Sequence, residues 1–143
     1  MSYTIQPLLD APKHPARAAA IQSIRAVEGG DRDGWLSLFR EDAVVQDPVG
    51  VSPLDPTGEG HRGIEAISKF YDNVIVAAES RFCIRQTFAC GNECANVGTI
   101  TSRLQNGSVS RTELVMVYCV DDAGKIRSLR AFWEFERGMT ALF

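Results

Sequence analysis

Asp47 is the residue with the plainest capacity for chemistry. It closes the apolar run Ala43, Val44, Val45 and is followed by Pro48. Proline restricts the residue before it to extended or turn-like backbone. A carboxylate in that place has two readings. One is an Asx-turn that bonds its own backbone across Asp47-Pro48-Val49-Gly50. The other is a base facing an apolar cavity, where desolvation makes it a stronger proton acceptor than it is in water. His61 stands in Gly58-Glu59-Gly60-His61-Arg62-Gly63. Histidine is the commonest acid–base side chain, but a lone histidine in a glycine-rich loop reads as solvated. His14, just before Pro15, reads as the surface start of a helix. Cys90 and Cys94 lie four apart with no second pair, and His61 is far upstream, so the spacing makes no zinc site. Cys83, Cys90, Cys94 and Cys119 read as small thiols in a reducing cytoplasm. Neither a glycine-rich phosphate loop after a strand nor a His-x-x-x-His pair is present. No metal and no cofactor are expected.

The elements that must position these residues follow from periodicity. Residues 1–13 carry Pro7 and Pro12 and no repeat, so they are expected to form an arm on the surface, with 14–143 as a single domain. A helix starts at Pro15, where proline suits the first turn, with Ala18, Ile21, Ile24 and Val27 at helical spacing. Gly29-Gly30 ends it. Asp31 or Asp33 caps a second, short helix running through Trp35, Leu36, Leu38 and Phe39. Ala43–Gln46 is a short strand. The stretch 49–63, rich in glycine and proline, is a loop of a length that is usually functional or mobile. A third helix carries Ile64, Ile67, Phe70, Tyr71, Val74 and Ile75 on one face.

From Arg81 the period becomes two. Turns at Gly91-Asn92, Asn106-Gly107 and Asp121–Gly124 separate four strands of an antiparallel meander. On the strand Ser110–Val120, Leu114, Met116 and Tyr118 share one face. On the last strand Trp133 alternates with Ala131 and Leu129. Helices first and strands afterwards argue an α+β fold, with the helices covering one face of a curved sheet.

Composition narrows the partners. The 143 residues carry 45% hydrophobic and 23% charged side chains, which suits one globular domain and excludes a disordered or collagen-like chain. A net charge of −3 supplies no clustered basic surface for nucleic acid. No apolar run approaches the roughly 20 residues that span a bilayer. Met1 to Pro15 has no basic region ahead of an apolar stretch, so no secretory leader is expected. The expected place is the cytoplasm, with neither membrane nor nucleic acid as a partner.

Four stretches resemble one family in order and spacing. They are Glu28-Gly-Gly-Asp31, Leu38-Phe-Arg-Glu-Asp-Ala-Val-Val-Gln-Asp-Pro-Val-Gly50, Gly63-Ile-Glu-Ala-Ile-Ser-Lys-Phe-Tyr71, and Asp122-Ala-Gly-Lys-Ile-Arg-Ser-Leu-Arg-Ala-Phe-Trp133. Together they are similar to the ketosteroid-isomerase-like branch of the nuclear transport factor 2-like superfamily. The resemblance implies a cone, in which a strongly curved, mostly antiparallel sheet wraps three N-terminal helices around one deep apolar pocket. It implies that Asp47 shuttles a proton between two carbons of an enone. The isomerases pair that base with an oxyanion hole of a tyrosine and a protonated aspartate. The matching positions here are Ser23 and Met116, and neither is a comparable donor. Tyr71 stands where the family has another pocket tyrosine and is either a donor to a ligand oxygen or a core residue of the third helix. Trp133, at the family's aromatic strand position, reads from its alternation with Ala131 and Leu129 as cavity wall. The expected pocket therefore holds Asp47, Ser23, Ile24, Tyr71, Leu114, Met116, Tyr118 and Trp133.

Fold does not decide function. One reading is an isomerase-like proton-transfer catalyst acting on an apolar carbonyl compound. A second is a binding module that holds a steroid-like or aromatic ligand without turnover. A third is a cyclase, dehydratase or hydrolase with His61 completing the site. On the outer sheet face Val115, Val117 and Cys119 are apolar where solvent would favour polar residues, so a homodimer through that face is expected.

Overall fold

His14 and Pro15 open the principal helix α2 (Pro15–Glu28). In this computed structural model, which describes residues 4–138 and 140–142, the His14 Nδ1 accepts the Ala16 N–H at 3.1 Å. Its Nε2 meets the Gly91 carbonyl at 2.9 Å. One imidazole thus caps the helix and ties it to a distant turn, a role beyond the surface start expected of it. Ala16, Ala19, Ala20, Ser23 and Ile24 form the buried face of α2.

Asp31 caps α3 (Arg32–Leu36) by accepting the Gly34 N–H at 2.9 Å. That helix stops before Phe39, where the sequence pattern carried it further. Phe39 instead starts β1 (Phe39–Gln46), because it pairs with Ile126 across a parallel ladder. Tertiary pairing here overrides a local helical pattern. Ahead of α2, Gln6–Asp10 forms a short helix, α1, with Leu8 only 1% exposed. The segment expected as a surface arm thus contributes to the core. After the loop come β2 (His61–Arg62) and α4 (Ile64–Phe70), continued by a π-helical turn over Tyr71–Ile75.

Four long strands follow: β3 (Ala78–Cys90), β4 (Glu93–Leu104), β5 (Val109–Val120) and β6 (Ile126–Phe132). The sheet order is β2-β1-β6-β5-β4-β3. Among the described residues only β1 and β6 run parallel; the remaining neighbours are antiparallel. A short helix α5 (Phe135–Gly138) leads to β7 (Thr140–Leu142), which pairs with β5 beyond the end of β6. The α+β class and the strongly curled sheet agree with the expectation, and the sheet stays open rather than closing into a barrel.

The curl has a local cause. The β3–β4 register shifts between Ile84 and Gln86, a bulge that bends the strand. Gly98 lies opposite, paired with Ile84, where an added Cβ would overlap the Cys83 carbonyl oxygen. Only a residue without a side chain permits that approach. The concave face then closes over α2 and α4 with Ile84, Leu114, Met116 and Tyr118 buried. Among the described residues no helix is long and apolar enough to cross a membrane.

Candidate functional site

Between the helices and the concave sheet lies a cavity of ≈ 180 Å³. Strand parity decides which side chains reach it. Along β5, Ser110, Thr112, Leu114, Met116 and Tyr118 alternate inward and all line it. From the helical side come Ser23, Trp35 and Phe70, and from the long loop Leu54. That loop is held by Asp55, 4% exposed, whose carboxylate accepts the Gly60 N–H at 2.8 Å.

Asp47 leaves β1 at a cis peptide bond to Pro48 and lines the cavity. Val49 N–H bonds the Ala131 carbonyl at 2.9 Å, so the turn after β1 is fastened to β6. The Asp47 Oδ1 accepts one strong hydrogen bond, from Trp133 Nε1 at 2.6 Å. Burial pushes the carboxyl above its ordinary range, while the Trp133 hydrogen bond and the electrostatic influence of nearby His61 pull it back. A raised value brings a carboxyl closer to neutrality and suits it to accept and return a proton.

Trp133 therefore does more than wall the cavity, as the strand pattern alone suggested. A half-buried indole N–H seeks an acceptor, and that need was the available signal. His61 also differs from the solvated side chain expected. Its ring lies 4.6 Å from the Phe70 ring, and its Nε2 is buried with no hydrogen-bond partner among the described residues. Pairing of Val45 with His61 across β1 and β2 brings it to the Asp47 end of the strand.

Ser23 is 1% exposed and accepts two hydrogen bonds, from Trp35 Nε1 at 3.0 Å and from Tyr118 Oη at 2.9 Å. Its own hydroxyl hydrogen is left for a group in the cavity. Two donors onto one hydroxyl polarise it and strengthen the bond it donates. Burial pushes the Tyr118 hydroxyl far above the ordinary tyrosine range, so Tyr118 stays a neutral donor. Met116, 4% exposed, presents a thioether and no donor.

Leu114, Met116, Tyr118, Ser23, Asp47 and Trp133 are thus brought to one cavity, whereas Ile24 and Tyr71 are not among its lining residues. Ile24 follows Ser23 by a single residue, a rotation of about 100° that turns it into the core, where it is 0% exposed. Tyr71 packs against Trp35 with ring centroids 5.5 Å apart and lies behind the wall. The described residues hold no group of three or more side chains arranged for a metal. Sequence reasoning missed Ser80, Ser102, Ser110 and Thr112, all of which line the cavity. The signal was available for the last two, which share the parity of Leu114 and Met116.

Comparison with known proteins gives a consistent picture. A family model described as a SnoaL-like domain matches residues 20–129. The chain is 29% identical over 117 residues to a steroid Delta-isomerase of Nocardioides simplex, covering 82% of this chain and 88% of that protein. A Delta 5-3-ketosteroid isomerase structure from Mycobacterium sp. matches with a TM-score of 0.85 at 38% identity, over 91% of this chain and 100% of that one. A Mycobacterium tuberculosis protein in complex with estradiol-17beta-hemisuccinate matches with a TM-score of 0.84 at 35% identity, over 90% of this chain and 99% of that one.

Proposed function

The chain belongs to the SnoaL-like domain family, and we propose that it takes an apolar, steroid-like carbonyl compound into its cavity and moves a proton on it with Asp47. One observation carries this reading: a carboxylate on the wall of an apolar cavity, fastened by the single Trp133 hydrogen bond and raised in pKa by burial. The steroid-binding and steroid-isomerising relatives support the ligand class.

In the proposed reaction Asp47 removes a proton from the carbon between a carbonyl and an isolated alkene. The electron pair spreads into a dienolate with its charge on the carbonyl oxygen. The protonated Asp47 then returns the proton to the far alkene carbon, leaving a conjugated enone and the carboxylate restored. Ser23 donates to the developing oxyanion, supported from behind by Tyr118 and Trp35. Met116 adds no second donor. Removing one oxyanion donor typically costs about 100- to 1000-fold in rate, so turnover is expected to be slow.

The assay follows the conjugated-enone absorbance from a 5-ene-3-ketosteroid. Asp47→Asn should lower the rate by about 100- to 10,000-fold while steroid binding persists. Native turnover that survives Asp47→Asn would overturn the assignment. Replacing Ser23 by tyrosine alone would crowd Tyr118 and Trp35. The combination Ser23→Tyr, Tyr118→Phe and Met116→Asp removes the Tyr118 hydroxyl that would meet the new phenol and adds a second donor. Where the cavity accepts the added ring, it should raise turnover by about 100-fold or more.

The burial of Met116 where the isomerases carry a donor favours a second reading, a binding module without turnover. Tight steroid binding with no enone formation, unaltered by Asp47→Asn, would select it. The outer sheet face supports a homodimer, and four free cysteines suit a reducing cytoplasm.

A further inference from the structure

The cavity wall changes character at one end. Ser80 of β3 pairs with Ser102 of β4, and Ser102 pairs with Ser110 of β5, so three serines form one row across three adjacent strands. Thr112 stands in the next row, beside Ile100 and Phe82. All four hydroxyl residues line the cavity, on the same inward parity as the apolar Phe82, Ile100 and Leu114. Alternation predicts apolar residues there.

These hydroxyls are not consumed by the fold. Ser80 and Ser102 are 3.4 Å apart and, among the described residues, their hydroxyls reach only each other. Ser110 is 7% exposed, and its hydroxyl has no hydrogen-bond partner among the described residues; neither has that of Thr112. A hydroxyl on the cavity wall that no protein group engages keeps its donor and its acceptor for a ligand.

Position fixes which end this is. Asp47 sits level with Ala131, which pairs with Met116. Ser110 lies six residues from Met116 along β5, about 20 Å at roughly 3.3 Å per residue. Side-chain reach and a hydrogen bond of about 2.8 Å at each end shorten that span to the length of a rigid polycyclic body. Between the two polar ends the wall is apolar. Among the described residues Asp47 is the one charged side chain on the lining, and the described residues of the serine end offer hydroxyls rather than a counter-charge for a carboxylate, sulfate or phosphate.

We infer that the Ser80–Ser102–Ser110 row, with Thr112, binds a neutral hydroxyl or carbonyl oxygen at the far end of the ligand. The ligand is then a rigid apolar body with an oxygen function at each end. This rests on the reading of the cavity as a steroid-like site, which the test separates from it.

The probes are testosterone and androst-4-en-3-one, identical except for the hydroxyl at carbon 17. Binding is read by quenching of the fluorescence of Trp35 and Trp133. Apolar burial alone favours the steroid without the hydroxyl. The serine row predicts the reverse, a preference of about three- to tenfold for testosterone. Ser110→Ala should abolish that preference and leave androst-4-en-3-one binding as tightly as before, whereas Ser110→Thr should keep it. Ser102→Ala repeats the test at a less buried member of the row. Equal binding of the two steroids by the native protein, or a preference that survives both alanine variants, overturns the role of the row alone. Failure of both steroids to bind overturns the ligand class and the row with it.

Discussion

At Asp47 one carboxyl group answers to burial and to two neighbours. Burial raises its pKa, and the Trp133 hydrogen bond and the electrostatic influence of His61 lower it, with burial prevailing. The sign of the consequence follows from linkage. The folded protein holds this proton above the ordinary value of 3.8, whereas the unfolded chain releases it. Stability associated with Asp47 is therefore complete below that ordinary value and is lost as pH rises through the folded value. Asp47→Asn keeps an acceptor for Trp133 and removes the buried charge. The variant should be more stable than the native protein at pH 7, by about 1.4 kcal/mol for each unit of the raised pKa. The gain should vanish below the ordinary value. Urea unfolding at pH 7 and pH 3.5 checks this, and a variant less stable at pH 7 would contradict it. Asp47 was legible as a candidate because type and position coincided. The Trp133 bond to it spans 86 residues and was not.

Gly98 of β4 illustrates how a residue off the cavity lining still shapes the cavity. Gly98 and the bulge in β3 let two strands close where the sheet bends. That bend directs Phe82, Leu114 and Met116 toward one interior. Gly98→Ala would force the two backbones apart and should cost at least about 1–3 kcal/mol, read as a lowered urea midpoint. The cavity should open with it, weakening steroid binding. An unchanged midpoint would show that the bend does not depend on this close approach. The turns at Gly91-Asn92 and Asn106-Gly107 were readable from local chemistry, since glycine adopts positive φ at Gly91 (59°) and Gly107 (87°). Gly98 was not readable, because its constraint is a neighbour on another strand. The extension of β1 back to Phe39 escaped for the same reason.

On the scale of the whole molecule, the curled sheet uses its concave face for the cavity and leaves the convex face outward. Val115, Val117 and Cys119 are half-buried there, and Phe132 beside them is 41% exposed. Next to this apolar band, Glu113 bonds Arg85 at 2.7 Å and Thr99 at 3.0 Å, and these bonds outweigh its burial and hold its carboxyl below the usual range. An apolar band with a charged border suits pairing of two copies face to face. Light scattering at tens of micromolar should give twice the chain mass, and Val117→Lys should give the monomer. Monomer alone for the native protein at high micromolar concentration would refute the dimer.

Local rules were enough for the class of the fold. Periodicity, caps and turn residues act between neighbours a few positions apart, and they specified helices, hairpins and inward strand parity. The spacing of Asp-Pro-Val-Gly and its companion stretches carried Asp47, Ser23, Met116 and Trp133 to one family pattern. Distance in sequence limited the rest. The hydrogen bonds that make Ser23 a polarised donor come from Trp35, twelve residues on, and Tyr118, ninety-five residues away. Ile24 and Tyr71 fell outside the cavity because one residue of helix rotation, or one layer of packing behind Trp35, decides which side chain faces in. The serine row exists only once three strands are in register. Such features depend on which surfaces meet after the chain closes on itself, and local patterning does not encode that meeting.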